Sequence, residues 1–172
     1  MDKKDLIERL KLIDDEASLV LPLNHRVKVT IVGGSSLILH GCLVRVTLDI
    51  DIIESFYPVL NPIFEKYDMN CRSNAFCDCL AENYVDRLKK LNLKTKAINY
   101  YLMSLEDLVI MKLFSDRKKD LDDIRSKTVV ESLNWQLLDS IISSGEANIS
   151  FNERRYKLFL EKYKSYVEEY KK

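Results

Sequence analysis

A β-branched run that leads directly into two adjacent glycines constrains the fold of this chain more than any other feature. "VKVTIV" (Val27–Val32) has the composition of a buried strand, and Gly33-Gly34 follows it, which predicts a strand that ends in a tight turn. "SSLILHG" comes next and predicts a short helix, capped by Ser35 or Ser36 and ended by Gly41 in a left-handed conformation. The segment therefore predicts a strand, turn and helix unit.

The next apolar run, "TLDIDII", predicts a second strand that carries two acids. Since side chains alternate across a strand, Asp49 and Asp51 are expected on one face, and Leu48, Ile50 and Ile52 on the apolar face. Two carboxylates held together in apolar surroundings require a cation. Mg²⁺ prefers oxygen ligands and commonly uses a few carboxylates together with the phosphates of its substrate, so we expect a Mg²⁺ site here.

The glycine turn and the acidic strand together predict a site for a metal-bound nucleotide. Gly33 and Gly34 allow the backbone to approach a ligand closely, and the N–H groups at the start of the following helix favour phosphate. Either feature alone is usually only a turn or a solvated strand face. In combination they suit in-line attack at phosphorus.

The rest of the chain predicts an α+β protein. Its 172 residues, 47% apolar and 31% charged, suffice for one compact domain. We expect an amphipathic first helix ended by Pro22, a helical "SFYPVLNPIFEKY", strands at "AFCDCLA" and "LKTKAINYYL", and a charged helix near Tyr84 to Leu91. From Ser104, an N-cap with Asp107 three residues on, the pattern is helical. The predicted single domain spans 1–172, with a mixed α/β core at 1–103 and a helical part at 104–172.

Charge and cysteine content narrow the class of protein. Twenty-seven basic residues balance twenty-seven acidic ones, which argues against a protein that coats nucleic acid or membranes, although a local basic face is possible. The sequence contains no apolar run of spanning length and does not begin like a signal peptide, so we expect a cytoplasmic protein without a membrane partner. Cys42, Cys71, Cys77 and Cys79 lack zinc-ligand spacing and are interpreted as reduced thiols.

Two blocks of the sequence resemble a known superfamily. The paired glycines with Ser35, followed after thirteen residues by Asp49, resemble the nucleotidyltransferase signature of a glycine with Gly or Ser and a later Asp-x-Asp. "RVTLDID" (Arg45–Asp51) is similar to the Arg-x-Ser/Thr-x-Asp-x-Asp run of AbiEii-type toxin nucleotidyltransferases and related minimal nucleotidyltransferases, and "LEDLVIMKLFSDRKKDLDDI" resembles their downstream block. The interval from Lys112 to Asp120 is shorter than in AbiEii-type toxins.

The resemblance implies a nucleotidyltransferase-like (polymerase-beta-like) fold and a role for each matching residue. Lys112 corresponds to the lysine near the triphosphate and Asp120 to the late catalytic aspartate. A third metal carboxylate is expected on a later strand, where Asp78 fits best. The predicted catalytic residues are Asp49, Asp51, Lys112 and Asp120; the predicted NTP-binding residues are Gly33, Gly34, Ser35, Arg45 and Lys112; the predicted metal ligands are Asp49, Asp51 and Asp78.

Each less specific member of this set has a simpler interpretation. Asp78 could be a solvated acid on an edge strand. Lys112 could be a surface lysine with its stem along apolar residues. Asp120 lies in a run of acids and bases that is typical of a solvated, ion-paired face. Tyr100 or Tyr101 could stack on a base, but not both, since adjacent strand residues face opposite ways.

The implied reaction is Mg²⁺-dependent transfer of a nucleoside monophosphate from an NTP to an acceptor hydroxyl. The resemblance implies tRNA or another RNA as acceptor, and a toxin with a cognate antitoxin protein as partner. An antibiotic or other small-molecule nucleotidyltransferase and a non-catalytic nucleotide-binding module are open alternatives. For RNA, the candidate surface is the last helix, whose apolar stripe should pack inward and leave five basic residues largely in water: Arg154, Arg155, Lys157, Lys162 and Lys164.

Overall fold

The computed structural model describes residues 1–53, 57–70, 79–148 and 152–171. The chain divides into two compact units, one of Met1–Ala75 with Leu88–Met103 and one of Phe76–Arg87 with Ser104–Lys172. Within the described residues there are eight α-helices and five short strands. The predicted α+β class is confirmed.

The first unit begins with helix α1 (Lys3–Val20). The carboxylate of Asp2 accepts from the N–H of Asp5, and the carboxylate of Asp5 accepts from the N–H of Asp2, so a capping box starts the helix. The helix ends before Pro22, as predicted. Its buried stripe follows the expected helical spacing through Leu6, Leu10, Ile13 and Ala17.

Five strands form the sheet structure of this unit: β1 (Val27–Ile31), β2 (Ile50–Asp51), β3 (Met69–Asn70), β4 (Lys89–Lys90) and β5 (Ile98–Leu102). One sheet has the order β1-β5-β4, with β1 and β5 parallel and β4 antiparallel to β5. The second is the parallel pair β2-β3. An antiparallel bridge between Ile31 and Ile52 joins β1 to the β2 segment, so the acidic strand lies beside the strand that leads into the glycine turn.

Two helices complete the first unit, α2 (Gly33–His40) and α3 (Asn61–Lys66). Helix α3 is shorter than predicted and has Pro62 in its first turn, where the missing N–H of proline costs nothing. The core lies between α1 and the sheet, where Tyr100 donates its hydroxyl to the Leu10 carbonyl at 2.9 Å. Tyr100 is 1% exposed and is therefore a core residue rather than a base-stacking one.

Two predicted elements differ from the structure. The charged helix expected near Tyr84 to Leu91 is wrong: a 3-10 turn at Tyr84–Arg87 is followed by β4. Most of the strand expected at "AFCDCLA" lies outside the described residues, and its described end, Cys79–Ala81, is not a strand.

The second unit is helical, with α4 (Leu105–Leu113), α5 (Lys118–Arg125), α6 (Lys127–Ser132), α7 (Trp135–Ser143) and α8 (Glu153–Tyr170). Ser104 caps α4 as predicted, since its Oγ accepts from the N–H of Asp107 at 3.0 Å. Helix α4 contacts α5, α7 and α8. The rings of Phe114 and Phe159 stack with centroids 4.1 Å apart, which packs α8 on the end of α4. In the described parts of the chain, no helix is both long enough and apolar enough to cross a membrane.

The basic residues of α8 are not all solvated, contrary to expectation. Arg155 donates to Cys79 Sγ at 2.8 Å, and Lys162 donates to the Ser115 carbonyl at 2.9 Å and to Asp116 at 2.7 Å. The charged ends of both side chains therefore bond to other residues of the second unit. Three of the five are exposed: Arg154, Lys157 and Lys164.

Candidate active site

The glycine turn begins helix α2 directly. Gly33 is the first helical residue, has φ +64°, and is preceded by Val32 as N-cap without a side-chain cap. The predicted serine cap is wrong because both serines lie inside the helix; Ser35 Oγ donates to the Val32 carbonyl at 3.0 Å. The N–H groups of the first turn, from Gly33 to Ser35, therefore have no intrahelical acceptor and are suited to an anion.

Asp51 lies against this turn. The N–H of Val32 donates to the Asp51 carbonyl at 2.9 Å, which continues the bridge between β1 and β2. A Cβ atom on Gly33 would lie 2.8 Å from Asp51 Oδ2. Such a distance is shorter than real Cβ contacts, so both the positive φ and the close carboxylate require glycine at this position.

Arg45 lies beside the second glycine. A Cβ atom on Gly34 would be 2.4 Å from Arg45 Nη2 and 3.2 Å from Cζ. Arg45 is half-buried in the irregular segment between α2 and β2, and donates to the Val46 carbonyl at 3.2 Å. A guanidinium thus lies at the N-terminal turn of α2, where its charge adds to that of the helix dipole.

Asp49 lies at the start of the acidic strand and is exposed. Thr47 Oγ1 lies 3.4 Å from Asp49 Oδ1, and Asn70 Nδ2 lies 3.5 Å from Asp49 Oδ2. Ile50 and Ile52 are buried, which confirms the predicted alternation with Asp49 and Asp51 on the opposite face.

Leu48 was expected in the core and is 85% exposed instead. The reason is that β2 begins only at Ile50, two residues later than the predicted strand, so Leu48 precedes the regular alternation.

The Asp49 and Asp51 pair fits Mg²⁺ by the chemistry of its donors. Mg²⁺ binds through one or two carboxylates and completes its shell with substrate phosphates and water. Among the residues that the structure describes, no group of three or more His, Cys, Asp or Glu is arranged to hold a metal ion. Asp78, the predicted third ligand, lies outside the described residues.

The described cysteines and the histidine of α2 show no metal-binding arrangement. Cys42 and Cys79 are buried free thiols, whereas Cys71 and Cys77 lie outside the described residues. His40 Nε2 lies 2.8 Å from the Met103 carbonyl, which holds the end of α2 to the segment after β5.

Lys112 and Asp120 meet in the second unit. Lys112 Nζ donates to Asp120 Oδ1 at 2.5 Å and to Asp123 Oδ2 at 3.0 Å. The lysine is 6% exposed and both aspartates are 4% exposed. The interpretations of Lys112 as a surface lysine and of Asp120 as part of a solvated face are therefore both wrong. The ion pairs join α4 to α5.

Asp120 has further partners that keep it ionised. Ser115 Oγ donates to it at 2.7 Å and Arg117 Nε at 2.6 Å. Burial opposes the charged form, but the charge of Lys112 and the hydrogen bonds to Asp120 outweigh burial, and the pKa of Asp120 lies below its ordinary value. The predicted residues thus form two groups, one in each unit: Gly33, Gly34, Ser35, Arg45, Asp49 and Asp51 in the first, and Lys112 and Asp120 in the second.

A comparison with protein families gives this geometry a context. A family model described as "Nucleotidyltransferase of unknown function (DUF6036)" matches residues 8–171. The chain belongs to this family. No curated protein and no solved structure matches it. The match supports the nucleotidyltransferase superfamily, and with it a nucleotide substrate, and the α+β structure is consistent with a nucleotidyltransferase-like fold.

Two neighbours of Asp49 in this nucleotidyltransferase were not predicted as site residues. Thr47 is the threonine of "RVTLDID", so the motif itself could have indicated it. Asn70 had no signal in the sequence, because it reaches Asp49 through the pairing of Asp51 with Asn70 between β2 and β3. Side-chain neighbours across paired strands depend on register, which single-sequence patterns do not specify.

Proposed function

We propose that this nucleotidyltransferase transfers a nucleoside monophosphate from an NTP to an acceptor hydroxyl. The observation that carries the proposal is the contact between Gly33 and Asp51, where a Cβ atom would lie 2.8 Å from the carboxylate. It brings an anion-binding helix start and a metal-type carboxylate to one place. Neither a structural turn nor a solvated strand face requires that juxtaposition.

The triphosphate would bind at the first turn of α2. The N–H groups from Gly33 to Ser35 would donate to its oxygens, and the Arg45 guanidinium would offset its negative charge. Arg45 would also stabilise the additional charge that develops on the departing pyrophosphate.

Asp49 and Asp51 would hold Mg²⁺, with Asp78 as the proposed third ligand. Bound there, the ion would supply charge neutralisation at the phosphates and lower the pKa of the attacking hydroxyl. Thr47 and Asn70, at 3.4 and 3.5 Å from the carboxylate oxygens of Asp49, would restrain the orientation of this ligand. In the reaction, the acceptor oxygen bonds to the α-phosphorus, the bond from this phosphorus to the pyrophosphate oxygen breaks with its electron pair on the pyrophosphate, and the hydroxyl proton passes to water.

Lys112 and Asp120 have proposed roles at the triphosphate and in catalysis, through the resemblance alone. The two side chains form a buried ion pair inside the second unit, with Lys112 Nζ 2.5 Å from Asp120 Oδ1. A catalytic role therefore requires that substrate binding breaks this ion pair or adds a contact to it. Measuring both the unfolding free energy and the turnover of a Lys112 variant separates the effect of the lysine on stability from its effect on catalysis.

The proposed acceptor is RNA, and a toxin role with a cognate antitoxin belongs to the same proposal. The similarity of Arg45–Asp51 to AbiEii-type toxins supports it, as do the exposed basic residues Arg154, Lys157 and Lys164. A neutral protein needs such local positive charge to hold a polyanion.

The test incubates the purified protein and Mg²⁺ with each of four α-labelled NTPs and total cellular RNA. We expect label on RNA, together with pyrophosphate release, and neither with the D49N/D51N variant. Label on a small molecule would reject the RNA acceptor and retain the nucleotidyltransferase. NTP binding without any transfer would identify a non-catalytic nucleotide-binding module and overturn the proposal.

A further inference from the structure

The sheet of the first unit has a second face, opposite the core, of which the proposed nucleotide site uses only the end at Asp51. Along β5 the burial alternates, with Ile98, Tyr100 and Leu102 buried and Asn99 and Tyr101 half-buried. The parallel register pairs Lys28 with Asn99 and Thr30 with Tyr101. These four residues, Lys28, Thr30, Asn99 and Tyr101, therefore share one side of the sheet, which we name the polar face; Thr30 is buried there at 1% exposed, whereas the other three are half-buried.

The proposed metal ligand Asp51 is on the same side of the sheet as the polar face. Ile31 and Ile52 are bridge partners and both point into the core, so Thr30 and Asp51, each one residue earlier, point to the other side. Strands about 4.8 Å apart and a rise of about 3.4 Å per residue place the Cα atoms of Tyr101 and Asp51 about 12 Å apart. One nucleotide spans a comparable length from its phosphate to its base.

Tyr101 carries the chemistry of a stacking platform. Its ring is half-buried, and Lys28 Nζ lies 5.3 Å from the ring centroid. Lys90, exposed on β4, is the ladder partner of Tyr101. Neither lysine forms an ion pair with a residue that the structure describes. An aromatic ring beside two lysines is an arrangement that suits single-stranded nucleic acid, because a base stacks on the ring and the phosphates lie near the positive charges.

We propose that the polar face binds the single-stranded end of the RNA acceptor, with its terminal base stacked on Tyr101 and its backbone phosphates near Lys28 and Lys90. This inference rests on the proposed function and names the part of the acceptor that the enzyme holds. The distribution of charge favours the acceptor over the base of the NTP. An NTP carries its charges on the triphosphate, at the α2 turn, whereas cations around the ring suit a phosphodiester chain that continues past the base.

The test measures RNA binding without NTP, by fluorescence anisotropy of a labelled single-stranded RNA of about 12 nucleotides, a length within the range of such sites. Tyr101→Leu keeps an apolar side chain and removes the ring, and we expect affinity to fall about 5-fold to 100-fold. Tyr101→Phe keeps the ring and should bind within about twofold of wild type, since stacking needs only the aromatic face. Thermal unfolding verifies that both variants fold.

The charges are tested by the K28Q/K90Q double variant. For single strands each lost phosphate contact lowers the slope of log affinity against log salt by about 0.7, so the slope should fall by about 1.4. The matched control is K4Q/K11Q, which removes two exposed lysines of α1, on the opposite side of the sheet, and should leave the slope unchanged.

Three outcomes overturn the inference. Tyr101→Leu could bind RNA as wild type does, or K28Q/K90Q and K4Q/K11Q could behave alike. Thirdly, Tyr101→Leu could weaken binding of an NTP in a parallel titration while leaving RNA binding unchanged, which would assign the ring to the NTP base. The binding assay does not depend on turnover. If RNA binds through Tyr101 but the separate labelling assay shows no nucleotide transfer, the proposed function is overturned and this inference is not.

Discussion

Replacing Gly33 by alanine should both destabilise the protein and displace Asp51, a proposed metal ligand. An L-residue at φ +64° costs about 1–2 kcal/mol. The new Cβ would also lie 2.8 Å from Asp51 Oδ2, while the Asp51 backbone is held by its bond to Val32. Relieving such a contact costs about another 1–2 kcal/mol. A total near 3 kcal/mol lowers the melting temperature of a chain of this size by about 6–12 °C.

Replacing Gly34 by alanine should have the opposite effect on stability. Gly34 is not among the glycines with positive φ, and alanine favours a helix by about 1 kcal/mol. Its Cβ would lie 2.4 Å from Arg45 Nη2, the movable end of a long side chain, so Arg45 is displaced and the fold remains. Losing one charge-assisted contact with the triphosphate should weaken NTP binding about 10-fold to 100-fold.

Thermal unfolding followed by circular dichroism and calorimetric titration with Mg-NTP check both variants. Gly145→Ala is the control for the backbone term, because Gly145 has φ +83° and its Cβ would meet no described atom within 4 Å. The difference between Gly33→Ala and Gly145→Ala then measures the Asp51 contact. Wild-type stability of Gly33→Ala, or wild-type NTP affinity of Gly34→Ala, would refute the reasoning.

Further predictions concern the acids, the buried lysine and salt. The D49N/D51N variant should lose pyrophosphate release yet melt no lower than wild type, since it removes two like charges; a large loss of stability would make the pair structural. Lys112→Met should cost about 3–5 kcal/mol in urea unfolding at about pH 7, because Asp120 keeps a buried charge. The wild-type pKa of Asp120 lies below the ordinary 3.8, so its stabilising contribution is present above about pH 4 and is lost as the pH falls further. Without the lysine that pKa rises, so the cost should be smaller at about pH 5, and equal costs would contradict this account. Labelling of RNA should fall steeply between about 50 and 200 mM salt, and a flat response would exclude a phosphate-dominated contact.

Features that depend on neighbours along the chain were readable from the residue pattern. The spacing of apolar residues located α1, and Ser104 with Asp107 located the start of α4. Alternation put Asp49 and Asp51 on the face opposite Ile50 and Ile52. These features follow from helical and strand periodicity and from local hydrogen bonds, which act over a few residues.

Contacts between distant residues were decided by packing. Strand β1 pairs with β5, far along the chain, and the bridge from Ile31 to Ile52 places Asp51 against Gly33. Packing within each unit likewise buries Lys112 between two aspartates and leaves Leu48 in solvent. Strand register and helix docking arise from burying the whole core at once, so no local pattern in the sequence contains them.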